Sequence, residues 1–531
     1  MIEPAVKLNR RTVTVGAAAA GLVVLVALSV PIAVGPTVKN RLLAALGDRF
    51  DSTVDVESLR VSMLPRPRIS GTKLVLHHKS RSGDAVPLIT VASFSAEASV
   101  FGLMGKQLRL RQVYVSGLEI NVPPGGMHID SDPDDSHKPA KRSPLVIAEV
   151  ISENAVLRIL RSKPGKTPRV FEIRHVAMEQ VGGDDPWPFR AELTNPTPPG
   201  QIRTHGTFGP WNAGDPSSTP LAADYQFSHA DLGVFDGIEG MLESTGVFKG
   251  VLERIVVDGR ASVPAFALSD VKQPVRLGTT FHSIVDGTSG DTLLQPVDAT
   301  FLQTKLHVTG GVVEREGEKG RTVMLDVVMN EARLEDVLRL AVKSREPPMV
   351  GALKLTAALA IPAGHRDVID KLQLDGAFDA ASARFTKRQL QAKVNEFSSK
   401  ARGEPDDTPD PVVSNFKGRF RMRDGVIHFS NVTFSMPGAV VEVAGTFAMH
   451  SEALDFRGTV RLNARLSTLT TGVKAFFVRL IDGVLRHDHI TIIPISIGGT
   501  ASEPKVKLDV GRLFKGGAAE PSTLARSPRR H

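Results

Sequence analysis

The chain contains no cysteine. Thiol nucleophiles, disulfide frameworks and thiolate metal sites are therefore excluded, while the compartment stays open. Long apolar runs are scarce as well. A single stretch is long enough to cross a bilayer, which excludes a polytopic channel or transporter. Recognisable chemistry is equally sparse. There is no G-x-S-x-G elbow, and the 15 histidines are scattered rather than grouped as a triad would need. Asp130, Asp132 and Asp134 open like a calcium loop. Pro133 interrupts it, Asp135 stands where glycine is required, and Lys141 replaces the closing glutamate. Gly165-Lys166-Thr167 lacks the upstream glycine of a phosphate loop, because Leu160 holds that place. His77-His78 and His487-Asp488-His489 lack helical His-x-x-x-His spacing and read as solvated loop histidines. No catalytic residue, metal ligand or cofactor is assigned, and a non-enzymatic protein is expected.

What is present begins with a globular composition. Of 531 residues, 41% are hydrophobic and 23% charged, which excludes a wholly disordered chain. The formal net charge of +8 suits an anionic membrane surface as well as nucleic acid. The basic residues alternate with apolar ones, which is a solvated-face pattern rather than a platform for bases, so no nucleic-acid partner is expected. Thr12 to Val34 is a run of 23 uncharged residues. As a helix it would extend about 34 Å, enough for a hydrocarbon core of about 30 Å. Lys7, Arg10 and Arg11 precede it, so the positive-inside rule keeps residues 1–11 in the cytoplasm and exports the body. A cleaved signal peptide is the competing reading. Its core would be shorter, and no convincing A-x-A site precedes Pro36.

Directly after this run, Pro36 to Phe50 places Val38, Leu42, Leu46 and Phe50 four apart, with basic residues on other faces. An amphipathic helix is predicted, lying near the membrane or capping the first sheet. Beyond it the dominant period is two. Leu454, Phe456, Val460, Leu462, Ala464 and Leu466 share one face of a strand, whereas Asp455, Arg457, Thr459, Arg461, Asn463 and Arg465 occupy the other. Similar runs follow Val441, Val443 and Phe447; Val323, Leu325, Val327 and Met329; and Val506, Leu508 and Val510. Asp424-Gly425, Pro437-Gly438 and Gly498-Gly499 supply turn signals. Short helices are predicted at Ala332 to Ser344, Arg388 to Ala401 and Thr470 to Leu485, each with an apolar stripe suited to core packing.

The expected fold is mainly β: an N-terminal transmembrane helix, then an elongated, curved antiparallel sheet or groove with a few short amphipathic helices. Its divisions are a cytoplasmic 1–11, an anchor 12–34, a β region 36–122 and a flexible loop 123–144. A central β-rich region 145–402, a linker 403–411, a final module 412–515 and a basic disordered tail 516–531 follow.

These residues carry a resemblance. PRPRISGTKLVL (Pro65 to Leu76) and the run from Pro87 to Val122 are similar to the first strands of the AsmA-like proteins of the diderm bacterial envelope. Val412 to Ser467 and Ile493 to Val510, with Asp-Gly, Pro-Gly, Ala-Gly-Thr-Phe and Gly-Gly-Thr in order, resemble that family's C-terminal module. The motifs belong to turns and pleats, not to chemistry. The resemblance implies a single-pass inner-membrane anchor with a periplasmic body and a role in outer-membrane lipid homeostasis. It also implies phospholipids and the inner membrane as partners, with outer-membrane or periplasmic proteins beyond them. On this reading the lipid-facing residues are Val441, Val443, Phe447, Leu454, Phe456, Val460 and Leu462. The alternatives stay open: a second sheet covers an apolar face as well as acyl chains do, and a non-enzymatic scaffold for outer-membrane protein assembly or envelope tethering needs no lipid.

Overall fold

The computed structural model describes residues 36–62, 66–78, 86–122, 144–160, 168–212, 218–287, 289–315, 320–402, 412–462 and 491–508. The expected anchor (12–34), linker (403–411), helix at 470–485 and tail (516–531) lie outside these, as do His487 and His489 and nearly all of the expected loop 123–144. Among the described residues no helix is long and apolar enough to cross a membrane. The protein is mainly β, as its period-two patterning predicts.

The chain divides into two compact units. The first comprises the described parts of Met1–Val234, Met241–Ser262 and Thr280–Leu293; the second those of Phe235–Gly240, Val263–Thr279 and Leu294–His531. In the first unit, residues 36–50 form helix α1. There follow β1 (Ser52–Ser62), β2 (Arg68–His78), β3 (Ile89–Ala98), helix α2 (Val100–Met104), β4 (Leu108–Val122), β5 (Leu145–Ile159) and β6 (Arg169–Val181). Next come β7 (Trp187–Pro196), β8 (Pro199–Phe208), β9 (Pro220–Asp231) and β11 (Met241–Val251); the short β10 (Ile238–Glu239) belongs to the second unit, and β12 (Arg254–Leu268), β13 (Val275–Val285) and β14 (Thr292–Phe301) contribute residues to both. From β1 to β9 each strand pairs with the next; β9 then pairs with β11, and β11 with β12.

All these pairings are antiparallel except β4–β5, which is parallel. A parallel neighbour requires the connection to return along the whole strand, here 15 residues or about 50 Å. Residues 123–144, which lack apolar periodicity, connect Val122 to Leu145 and can span that return at about 3.3 Å per residue.

Helix α1 buries Val38, Leu42 and Ala45 against Ile69, Ala98, Leu103 and Leu108. Its apolar stripe therefore packs on the first sheet rather than on a bilayer. At its C-terminal end the Arg49 guanidinium lies over the Trp187 ring, 5.5 Å from its centroid, and donates to the Trp211 and Gly183 carbonyls. Burial lowers the Arg49 pKa from its ordinary value, against the pull of Asp184. Because one helix touches both β1–β4 and the turns around β6–β9, this sheet bends around it.

In the second unit β15 (Thr304–Val313), β16 (Thr322–Arg333), helix α3 (Leu334–Ala341), β17 (Met349–Ile361), helix α4 (Val368–Lys371), β18 (Gln373–Phe385) and helix α5 (Arg388–Arg402) follow. β19 (Ser414–Arg423), β20 (Val426–Met436), β21 (Ala439–Ala448), β22 (Leu454–Leu462), β23 (Thr491–Gly499) and β24 (Pro504–Leu508) complete it. β15 to β24 pair consecutively and antiparallel. The pairing crosses the expected linker directly, since Leu374 of β18 is the partner of Met422 of β19. Asp424-Gly425 and Pro437-Gly438 form the predicted turns; Asp424 (φ 49°) and Gly425 (φ 71°) supply the two left-handed residues of a tight hairpin. Gly498-Gly499 differs: both still pair in β23, and the turn follows them. His77 and His78 also differ, being strand residues of β2 rather than loop residues.

The apolar alternation repeatedly changes parity within a strand, and the register shows why. In β20 the apolar residues are Ile427 and Phe429, then Val432, Phe434 and Met436. The pairing with β21 shifts between Phe429 and Val432, and Asn431 takes φ 61°. One extra residue is absorbed as a bulge, so both apolar sets stay on the same face. Ser382 in β18 (φ 54°) and His229 in β9 (φ 55°) mark equivalent register shifts. Each bulge also increases the local twist, which favours a curled sheet over a flat one.

Candidate functional site

The apolar face of the second unit is the largest feature that the sequence singled out. Register places Val441 opposite Val460, Val443 opposite Gly458, Gly445 opposite Phe456 and Phe447 opposite Leu454. With Leu462, two residues beyond Val460, all seven residues predicted to face lipid therefore lie on one face of two adjacent strands. They differ in exposure. Val443, Phe447, Val460 and Leu462 are buried, at 8%, 8%, 7% and 1%, whereas Val441, Leu454 and Phe456 are half-buried. The face continues onto β23, where Ile493, Ile495 and Ile497 oppose Val460, Gly458 and Phe456. It reaches β24 at Val506, the partner of Ile497, which is 66% exposed.

Sequence reading missed the centre of this face. Phe378, Phe416, Phe420, Phe429 and Phe456 come from β18, β19, β20 and β22 and form a contiguous ring cluster, with centroid separations between 5.0 and 6.4 Å. The signal was present as Phe416 and Phe420 two pleats apart on one strand and Phe429 on the next. Their convergence depends on register, which spacing within one strand does not reveal.

The side chains packed on this face come from the sheet itself and from three helices, α3, α5 and α4, whose Ile369 packs in one cluster with Phe447 and Leu454. Helix α3 lays Leu334, Val337 and Leu338 on Leu353, Ala380 and Ala383. The buried Asp336 carboxylate accepts from the Gln303 backbone N–H at 3.0 Å and the Thr304 hydroxyl at 2.9 Å. Helix α5 contributes Phe397. It is held by Ser398, whose hydroxyl donates to the Pro437 carbonyl at 2.7 Å, and by Asn395, which accepts from the Val412 N–H at 3.1 Å. Helices α3 and α5 are fixed by polar contacts at defined points while their apolar side chains rest on the sheet.

The opposite face is charged. Arg461 pairs with Glu442 at 3.1 Å and Arg421 with Asp375 at 2.9 Å, all four more than a third exposed. This is the solvated face expected from the alternation, and such exposed pairs add little stability, typically about 0–1 kcal/mol each.

Chemically the described residues of this face offer apolar contact. A scan against protein-family models and searches of the curated proteins and the solved structures each returned no match.

Proposed function

We propose that the chain handles phospholipid as an AsmA-like envelope protein, anchored in the inner membrane by residues 12–34 with its body in the periplasm. Acyl tails lie against the apolar face of β15–β24, and head groups stay near water at its open edge. One observation carries this reading. Leu454, Phe456 and Val506 remain partly or largely exposed on an apolar face whose packing partners among the described residues are the sheet and helices α3, α4 and α5. Such a face in water is unfavourable by roughly 25 cal/mol per Å², and contiguous apolar patches on soluble domains commonly mark binding sites. Each buried methylene of an acyl chain contributes about 0.8 kcal/mol, so affinity accumulates without residue-specific contacts. The role that follows is support of outer-membrane lipid homeostasis.

A scaffold with an internally closed face is the second reading, and burial favours it locally. Val460, Leu462, Ile493 and Ile495 are between 1% and 7% exposed and require no lipid to cover them. Photo-crosslinking distinguishes the two. The full-length chain carrying p-benzoylphenylalanine at position 456, 506 or 457 is incubated with phosphatidylethanolamine–phosphatidylglycerol vesicles and irradiated, and lipid adducts are weighed by mass spectrometry. Adducts at 456 and 506 but not at 457, on the polar face, support lipid binding. Folded protein without adducts at 456 or 506 supports the scaffold.

A further inference from the structure

Helix α2 displays an apolar tip whose construction points outward. Phe101 is 90% exposed, the highest value among the exposed large hydrophobic residues described, and its neighbour Val100 is 44% exposed. This is not a loosely held loop. Leu103 is 1% exposed in the core shared with α1, and the Ser99 hydroxyl caps the turn by accepting from the Gly102 N–H at 3.0 Å. Gly102 sits so close to β4 that a Cβ there would be 2.5 Å from the Arg109 carbonyl oxygen. Arg41 of α1 donates to the Leu103 carbonyl at 2.8 Å and to the Gly105 carbonyl at 2.5 Å. The turn is thus clamped from three sides, and the clamp presents a phenylalanine to the outside.

Its position supplies the partner. Arg41 lies five residues into α1, about 7.5 Å along the axis from Pro36. Pro36 follows the uncharged run Thr12–Val34 after a single intervening residue. The chain therefore enters the folded body beside α2. Arg66, Lys106 and Arg109 are exposed at the same end of the sheet, while the nearby Glu97 is paired with Arg68 at 3.0 Å. An exposed aromatic tip at an end of the sheet that also exposes Arg66, Lys106 and Arg109 suits the interface of an anionic bilayer, where apolar groups enter below the head groups and cations meet the phosphates.

We infer that Val100 and Phe101 insert into the bilayer in which residues 12–34 are anchored, forming a second contact that sets the orientation of the first unit on the membrane. The inference rests on the anchor reading. The absence of cysteine provides a clean test, because one introduced cysteine takes a spin label uniquely. The full-length variants Phe101→Cys and Thr207→Cys, the latter on β8, are labelled and reconstituted into vesicles of phosphatidylethanolamine and phosphatidylglycerol. Flotation is measured first, followed by relaxation of the label by oxygen and by a water-soluble nickel complex. The expected result is flotation, with oxygen relaxing the label at 101 at least threefold more strongly than nickel and the reverse at 207. Flotation with a water-like label at 101 overturns this inference and leaves the anchor reading intact. Failure to float overturns both. A label at 101 shielded equally in lipid-free protein assigns the tip to a protein contact and also overturns the inference.

Discussion

Phe456 lies directly across Gly445: the two are register partners on β22 and β21, and a Cβ built on Gly445 would be 2.7 Å from Phe456 Cγ. The same relationship recurs at Gly376 with Phe420 and Gly71 with Phe94, again direct partners, where the added Cβ would meet the ring at 2.8 and 2.6 Å. A ring reclining over a glycine fills the missing side-chain volume and shields the backbone, which suits a curled sheet with one crowded face.

Gly445→Val should therefore destabilise the second unit by about 1–3 kcal/mol through overpacking. The added Cβ would also stand 2.2 Å from the Asp455 carbonyl oxygen, so backbone as well as ring must move. Urea denaturation of the variant against wild type measures it. An unchanged midpoint would show that the ring has room to turn away.

The bulge at Asn431 predicts unequal effects for two substitutions. Its φ of 61° suits asparagine or glycine and is strained for a β-branched residue. Asn431→Val should cost about 1–2 kcal/mol, whereas Asn431→Gly should be nearly neutral. Equal effects of the two on the unfolding midpoint would assign the cost to the lost side chain rather than to backbone strain.

The turn between β21 and β22 carries a titratable latch. His450 Nε2 lies 2.8 Å from Asp370 Oδ1, beside α4, and Nδ1 faces the Asp270 carboxylate after β12. Lys343, following α3, donates from Nζ to the His450 carbonyl at 2.9 Å and from its backbone to Glu452, while Arg366 pairs with Asp424 at 3.2 Å in the adjoining turn. Two carboxylates engage both ring nitrogens and so select the imidazolium. The hydrogen bond to Asp370, then that to Asp270, raises the His450 pKa above its ordinary 6.5. The stabilisation is fully present below about pH 6.5 and is lost as pH rises through the higher folded-state value. The stability difference between wild type and His450→Gln should be largest near pH 6 and shrink by about pH 9. A difference that does not vary with pH would mean that the contacts act without the charge.

On the proposed lipid reading, binding should tolerate small changes and fail with a charge on the apolar face. Phe456→Ala should reduce lipid recovered from vesicles by less than about twofold, because contact is spread over many methylenes. Phe456→Glu should reduce it by about tenfold or more, since a carboxylate is costly to bury without a partner. Arg457→Glu, on the polar face, is the matched control. Lipid recovered equally with all three folded variants would remove this stretch from the binding face.

Much of the fold was legible because its cause is local. Alternation forces one face of each strand into water and the other away from it, so the side on which Val441, Val443, Phe447, Leu454, Phe456, Val460 and Leu462 fall followed from parity alone. The helices at 36–50, Leu334–Ala341 and Arg388–Arg402 were legible from spacing for the same reason. Which of the seven residues are sealed and which stay open was not legible, because it depends on where α5 and the neighbouring strands come to rest.

By itself, the sequence determined the strand character, the hairpin at Asp424-Gly425 and the polarity of each face, all set by interactions within a few residues. Tertiary structure alone decided the parallel β4–β5 pairing, the reclining of Phe456 on Gly445 and the meeting of His450 with Asp270, 180 residues away. Each of these requires register between separate strands or the closing of a long loop. Such contacts form only when distant strands come together within a unit, and no local pattern encodes them.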